Sequence, residues 1–218
     1  MKKLALAMVL SAVGAAFAET APVMVSLVTP VQAPASDSDV KGLRLSLVYG
    51  ECADFTGLDI GLVNRATGDY AGLAIGGVNI AGKEFNGGQI GLVNWNGNAD
   101  FDKVGEPDWA HVSKGCQIGL LNYAPSFCGL QDGIVNVVDD TFTGLQSGLV
   151  NITHDLYGCQ SGLYVFLCAN FATGTVRGCQ LGLVNYAREM DRGLQVGIVN
   201  IISQGGWAPV LPLVNGRF

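Results

Sequence analysis

The octet Gly57-Leu-Asp-Ile-Gly-Leu-Val-Asn64 returns fifteen residues later as Gly72-Leu-Ala-Ile-Gly-Gly-Val-Asn79, then as Gly87-Gly-Gln-Ile-Gly-Leu-Val-Asn94. A further copy runs from Gly115 to Asn122, and others start at Gly129, Gly144, Gly178 and Gly193. Degenerate copies start at Gly42, with Tyr49 in place of Asn, and at Gly158, with Val165. The steps between starts are 15, 15, 15, 28, 14, 15, 14, 20 and 15. A fixed period of this kind marks a repeat architecture, and fifteen residues is too short for a helical repeat of about 33 or more. Leu58, Ile60 and Leu62 alternate with Gly57, Asp59 and Gly61, the period of a strand.

The preferred architecture is an all-β solenoid with one coil of about fifteen residues per repeat. Equivalent residues of successive coils then pair in parallel, about 4.8 Å apart. Three expectations follow: leucines fill the interior, aromatic residues such as Phe55, Tyr70 and Phe85 stack, and Asn forms an amide ladder at one corner. Gln89, Gln117, Gln131, Gln146, Gln160, Gln180 and Gln195 share another position and suit a second ladder. The alternative is an outer-membrane antiparallel β-barrel, with about ten residues per strand plus a turn and Phe218 as an aromatic end. Identical units argue for the solenoid, because neighbouring barrel strands alternate in direction.

Composition narrows the rest. The chain has 218 residues, 49% of them apolar and 14% charged, with 31 glycines. Disorder needs low hydrophobicity and high charge, and long helices do not tolerate so much glycine. A net charge of -6 argues against nucleic acid as a partner. Lys2 and Lys3, the apolar run Leu4 to Phe17 and the end Ala16-Phe17-Ala18 predict a cleaved signal peptide over 1–18. The expected location is therefore the periplasm, the outer-membrane surface or the extracellular space.

The octet resembles that of a bacterial surface-repeat family of the leptospiral type, over Gly42 to Ile201; Gly205-Gly206-Trp207 through Phe218 resembles its usual ending. The resemblance implies an exported surface or envelope protein and carries no catalytic residues. The departures at Tyr49 and Val165 are expected to break the Asn ladder.

The division expected is a leader at 1–18, an N-terminal cap or tether at 19–41, ten repeats over 42–202, and a C-terminal cap at 203–218. Insertions fall near 95–114 and 166–175. The first carries Asp108, Trp109 and His111, a candidate partner-binding loop, although without a ligand-spacing pattern a solvated surface loop is the plainer reading. His154-Asp155 and Asp139-Asp140 read as solvated corner pairs. No nucleophile elbow, phosphate loop or metal-binding helix motif is present, so no metal, cofactor or catalytic residue is assigned. Among six cysteines, Cys159 and Cys179 fall on adjacent coils, close enough for a disulfide.

The function expected is that of an exported, non-enzymatic structural or interaction scaffold whose partner is a protein or a surface polymer. Two alternatives carry other predictions. A pore-forming barrel would contact the membrane, and a solenoid carbohydrate enzyme would need charged residues clustered on one face.

Overall fold

The computed structural model describes residues 20–97, 112–162 and 167–218. The proposed leader, and Asp108, Trp109 and His111, lie outside the described residues. The chain forms two compact units, 1–106 and 107–218. Each is a stack of fifteen-residue β-coils.

In the first unit β1 (Thr20–Val28) pairs in parallel with β3 (Asp39–Cys52). β3 pairs in parallel with β4 (Phe55–Ala66), and β4 with β5 (Tyr70–Ala81). β5 then pairs with β6 (Phe85–Ile90) and β7 (Val93–Asn96). Each repeat lies on the next in register: Gly57 faces Gly72, Leu58 faces Leu73 and Asn64 faces Asn79. Parallel pairing of consecutive repeats excludes the antiparallel barrel. The segment 19–41, expected to be a cap or tether, contributes a further parallel rung. Antiparallel β2 (Val31–Ala33) pairs with β1.

The second unit repeats the plan. β8 (Ser113–Ile118) and β10 (Phe127–Asp132) pair in parallel, as do β9 (Leu121–Ala124) and β11 (Val135–Ser147). β10, β11, β12 (Val150–Ser161), β13 (Ala169–Leu181) and β14 (Val184–Gln204) continue in parallel order. β15 (Val210–Arg217) turns back antiparallel on β14, giving that strand a partner other than a further parallel coil.

The insertion expected at 166–175 sits elsewhere. Ala169 to Ala172 are already in register with Val150 to Thr153, so most of the extra chain lies between Ser161 and Ala169. Asn170 thereby takes the corner, and the ladder continues past Val165. At the other departure, Gly50, rather than Tyr49, stands at the corner opposite Asn64. The first acceptor of the ladder, Asn64 Oδ1, is left without a partner there.

The interior differs most from expectation. Asn64, Asn79, Gln131 and Gln146 are fully buried, with the rings of Phe55, Phe85 and Phe142. Leu62 is 56% exposed and Leu47 70% exposed. Alternation puts Leu58, Ile60 and Leu62 on one face, but it does not say which face is inside. Phe55, Gly57 and Asp59 share the opposite parity, and the aromatic column takes that face inward. The leucines must then point out.

A polar interior is tolerable because its amides are satisfied along the stack. Asn136 Nδ2 donates to Asn151 Oδ1 at 2.8 Å and to the Ser147 carbonyl at 2.9 Å. Gln146 Nε2 donates to Gln131 Oε1 at 2.9 Å, and Gln131 Nε2 to Gln117 Oε1 at 2.7 Å. Aromatic rings stack beside them, with Phe127 and Phe142 centroids 6.3 Å apart. The leading glycine of each octet is obligatory: Gly144 has φ +132°, and a Cβ there would lie 2.0 Å from the Gly129 carbonyl oxygen.

Candidate interaction surface

Since the octet leucines point outward, the first unit carries a sheet face built almost wholly of aliphatic side chains. One column consists of Val23, Leu43, Leu58, Leu73 and Gly88, and the next of Val25, Leu45, Ile60, Ile75 and Ile90. Leu47, Leu62, Gly77 and Leu92 flank them. No side chain in these columns is charged or able to hydrogen-bond. The face extends roughly 19 Å across the stack and 13 Å along the strands. A shallow groove of about 560 Å³ crosses it, lined among others by Leu45, Leu47, Ile60, Leu62 and Ile75. Gly77, on the same parity as the leucines, leaves the groove open beside Leu62, while Gly61 and Gly76 face inward, where a Cβ at Gly76 would strike the Gly61 carbonyl oxygen at 2.5 Å and the buried Asn64 amide at 2.7 Å.

The matching face of the second unit is broken. Ile118, Ile134, Leu149 and Ile198 are exposed, but Asp132, Ser147 and Ser161 take the position held by isoleucine in the first unit. The uninterrupted apolar face belongs to residues 20–97.

Beneath it lies a charged cluster that the sequence reading passed over. Arg44 and Asp59 occupy the Gln column on adjacent coils, and both are fully buried. Arg44 Nε donates to Asp59 Oδ1 at 2.9 Å, and its Nη2 makes the second contact to the same carboxylate. Arg44 Nη1 also donates to the Arg65 carbonyl at 2.7 Å, and the guanidinium lies 4.9 Å from the Phe55 ring centroid. Tyr70 OH donates to Asp59 Oδ2 at 3.3 Å. Burial works against the Arg44 charge, but the hydrogen bond and charge of Asp59 outweigh it and raise the arginine pKa. Burial likewise raises Asp59, opposed by Arg44. The Cys52 thiol beside them is pushed up to about 12 by burial. These groups are neutralised among themselves and hold the first coils in register.

A second feature missed from the sequence is an acidic column at one exposed corner: Asp39, Asp54, Asp69 and Glu84, fifteen residues apart. Asp39 Oδ1 accepts the Asp54 amide at 3.2 Å, Asp54 Oδ1 the Asp69 amide at 2.8 Å, and Asp69 Oδ1 the Glu84 amide at 3.3 Å. The three aspartates thereby tie each turn to the next. Among the described residues no group of three or more His, Cys, Asp or Glu is placed to hold a metal ion.

The remaining candidates are placed as follows. His154 Nδ1 is 3.0 Å from Thr173 Oγ1, while Asp155 Oδ1 accepts the Thr175 amide at 2.6 Å. These two side chains serve neighbouring coils rather than each other. Asp139 accepts from Tyr123 OH, and Asp140 Oδ2 from Ser126 Oγ at 3.2 Å. Cys159 and Cys179 are partners on β12 and β13 and form a disulfide, with Cα atoms 4.7 Å apart. Cys52, Cys116, Cys128 and Cys168 are not disulfide-bonded. Compared with family models, with curated proteins and with solved structures, the chain matches none.

Proposed function

We propose that the protein is an exported scaffold of the cell envelope or surface. In this reading it acts without catalysis, by docking another protein on the apolar face of its first unit. One observation carries the proposal: a folded unit that buries its amides and displays its leucines. Contiguous exposed apolar surface on a soluble fold marks a contact site. A protein partner fits better than a surface polysaccharide, because the columns offer no polar or aromatic side chain to a sugar. The leader-like residues 1–18 and the Cys159–Cys179 disulfide are in keeping with an oxidising, extracytoplasmic compartment. The octet's resemblance to leptospiral-type surface repeats points the same way.

The test is to express the full chain in a bacterial host, fractionate the cells and sequence the N-terminus of the product. The expected product begins at Glu19 and is found in the envelope or the medium. Doubly substituting Ile60→Ser and Ile75→Ser should leave circular dichroism unchanged and abolish co-purification of envelope proteins. A product retained in the cytoplasm with residues 1–18 intact would refute export. Cleavage of a polysaccharide panel by the purified protein would refute the non-catalytic reading.

A further inference from the structure

We propose that Arg177, Arg192 and Arg217 form a binding site for a phosphomonoester, the phosphate group of a phosphorylated sugar or lipid. Arg177 and Arg192 are register partners on β13 and β14. On the other side of β14, antiparallel β15 sets Arg217 opposite Gly193. Three successive rungs therefore bring three guanidinium groups to one cleft of about 680 Å³, lined also by Gly178, Asp191, Gly193 and Phe218. The chain is acidic and has six arginines, so half of them meet here.

Their internal partners do not balance them. Arg177 Nε donates to Asp191 Oδ2 at 2.6 Å, and its guanidinium lies 5.7 Å from the Tyr157 ring centroid. Arg217 Nη1 donates to the Met190 carbonyl at 3.3 Å. Arg192 is exposed and has no hydrogen-bond or ion-pair partner among the described residues. Three cations face the Asp191 side chain and the α-carboxylate of Phe218, which leaves a positive surplus. Like charges on neighbouring rungs repel, so the arrangement is at its best with an anion between them.

The surplus calls for an anion, and the planar guanidinium groups favour a phosphomonoester. A phosphomonoester carries about -1.5 to -2 charges at neutral pH and three terminal oxygens. Guanidinium groups meet such oxygens as a two-pronged fork. Gly178 and Gly193 put no side chain over the cleft. The Phe218 ring, 5.5 Å from that of Trp207, offers an apolar surface to the organic part of the ligand.

The experiment titrates the full chain, as exported and purified, with glucose 6-phosphate, glucose and inorganic phosphate by calorimetry. In parallel it measures sedimentation with vesicles of phosphatidylcholine with or without phosphatidic acid. Binding of glucose 6-phosphate but not glucose is expected, and Arg192→Gln should weaken it at least about tenfold. Arg192 has no internal partner, so this variant should fold like the parent by circular dichroism. Binding confined to phosphatidic acid vesicles, and lost in Arg192→Gln, also supports the site and assigns it a lipid-borne phosphate. No binding to any phosphomonoester, or equal binding by Arg192→Gln and Arg217→Gln, would overturn it.

Discussion

Asn136 and Asn151 are register partners on adjacent parallel strands, and the amide of the first donates to the carbonyl oxygen of the second across 2.8 Å. The contact recurs along the stack: Asn79 to Asn94 at 2.9 Å, Asn122 to Asn136 at 2.8 Å, Asn185 to Asn200 at 2.8 Å. Each amide satisfies its neighbour and also a backbone carbonyl. A single substitution therefore leaves unpaired groups on both sides.

Asn136→Ala should accordingly cost about 1–3 kcal/mol for each buried group left unpaired. Urea unfolding of the variant and its parent measures the difference. Asn136→Asp should be worse still, because a carboxylate cannot donate to Asn151 and its charge is buried. An unchanged midpoint would mean that the ladder contributes nothing.

Gly144→Ala is expected to be the most damaging small substitution in the second unit. The backbone there is at φ +132° and the new methyl would meet the Gly129 carbonyl oxygen. The conformational strain alone is about 1–3 kcal/mol, and the clash adds to it. Leu145→Ala, one residue on and outward-facing, should stay within about 1 kcal/mol of the parent. Thermal unfolding of the pair decides the matter. The reverse order would mean that the leucines are the core.

Arg44 and Asp59 provide a double-substitution test. Arg44→Leu leaves a buried, uncompensated carboxylate and should cost about 3–5 kcal/mol. Asp59→Leu strands the guanidinium in the same way. Arg44→Gln with Asp59→Gln installs the side chain that fills this column elsewhere, so the double variant should be more stable than either leucine variant in denaturant titrations.

Two protons bear on alkaline stability. Burial lifts the Cys52 thiol from 9.0 to about 12, and burial beside Asp59 lifts the Tyr70 hydroxyl above its usual 10.0. The folded state keeps protons that the unfolded chain releases. Their contribution is thus complete below about pH 9 and is lost as pH rises through about 12. Cys52→Ser should flatten the Cys52 part of that decline. At pH 8, alkylation should reach Cys116 and Cys128, both partly exposed, well before buried Cys52.

Much of this architecture is legible in the sequence, because a parallel stack maps the repeat period directly onto neighbour contacts. The parallel order, the Asn and Gln ladders and the fifteen-residue coil all follow from the octet alone. The inside of the coil did not follow. Hydrophobicity alone points leucine to the core, although Phe55 and Asp59 share a parity that excludes Leu58 and Ile60 from that face. Arg44 was hidden because a single rung carries it, and repeats call attention to what recurs. The Arg177, Arg192 and Arg217 cluster needed the reversal of β15, which no periodicity encodes. The position of the second insertion is hidden because the octet of Gly158 is itself interrupted and Asn170 stands in from beyond it.

The most direct test of the account places nitroxide spin labels at positions 58 and 73, outward-facing register partners near the start of their octets. Parallel, in-register stacking sets these backbones about 4.8 Å apart, so the doubly labelled protein should show strong spin-exchange broadening, and each single label should be reached by water-soluble relaxation agents. Weak coupling, with labels shielded from those agents, would mean that the repeats run in opposite directions or that their leucines lie within, and the account would be contradicted.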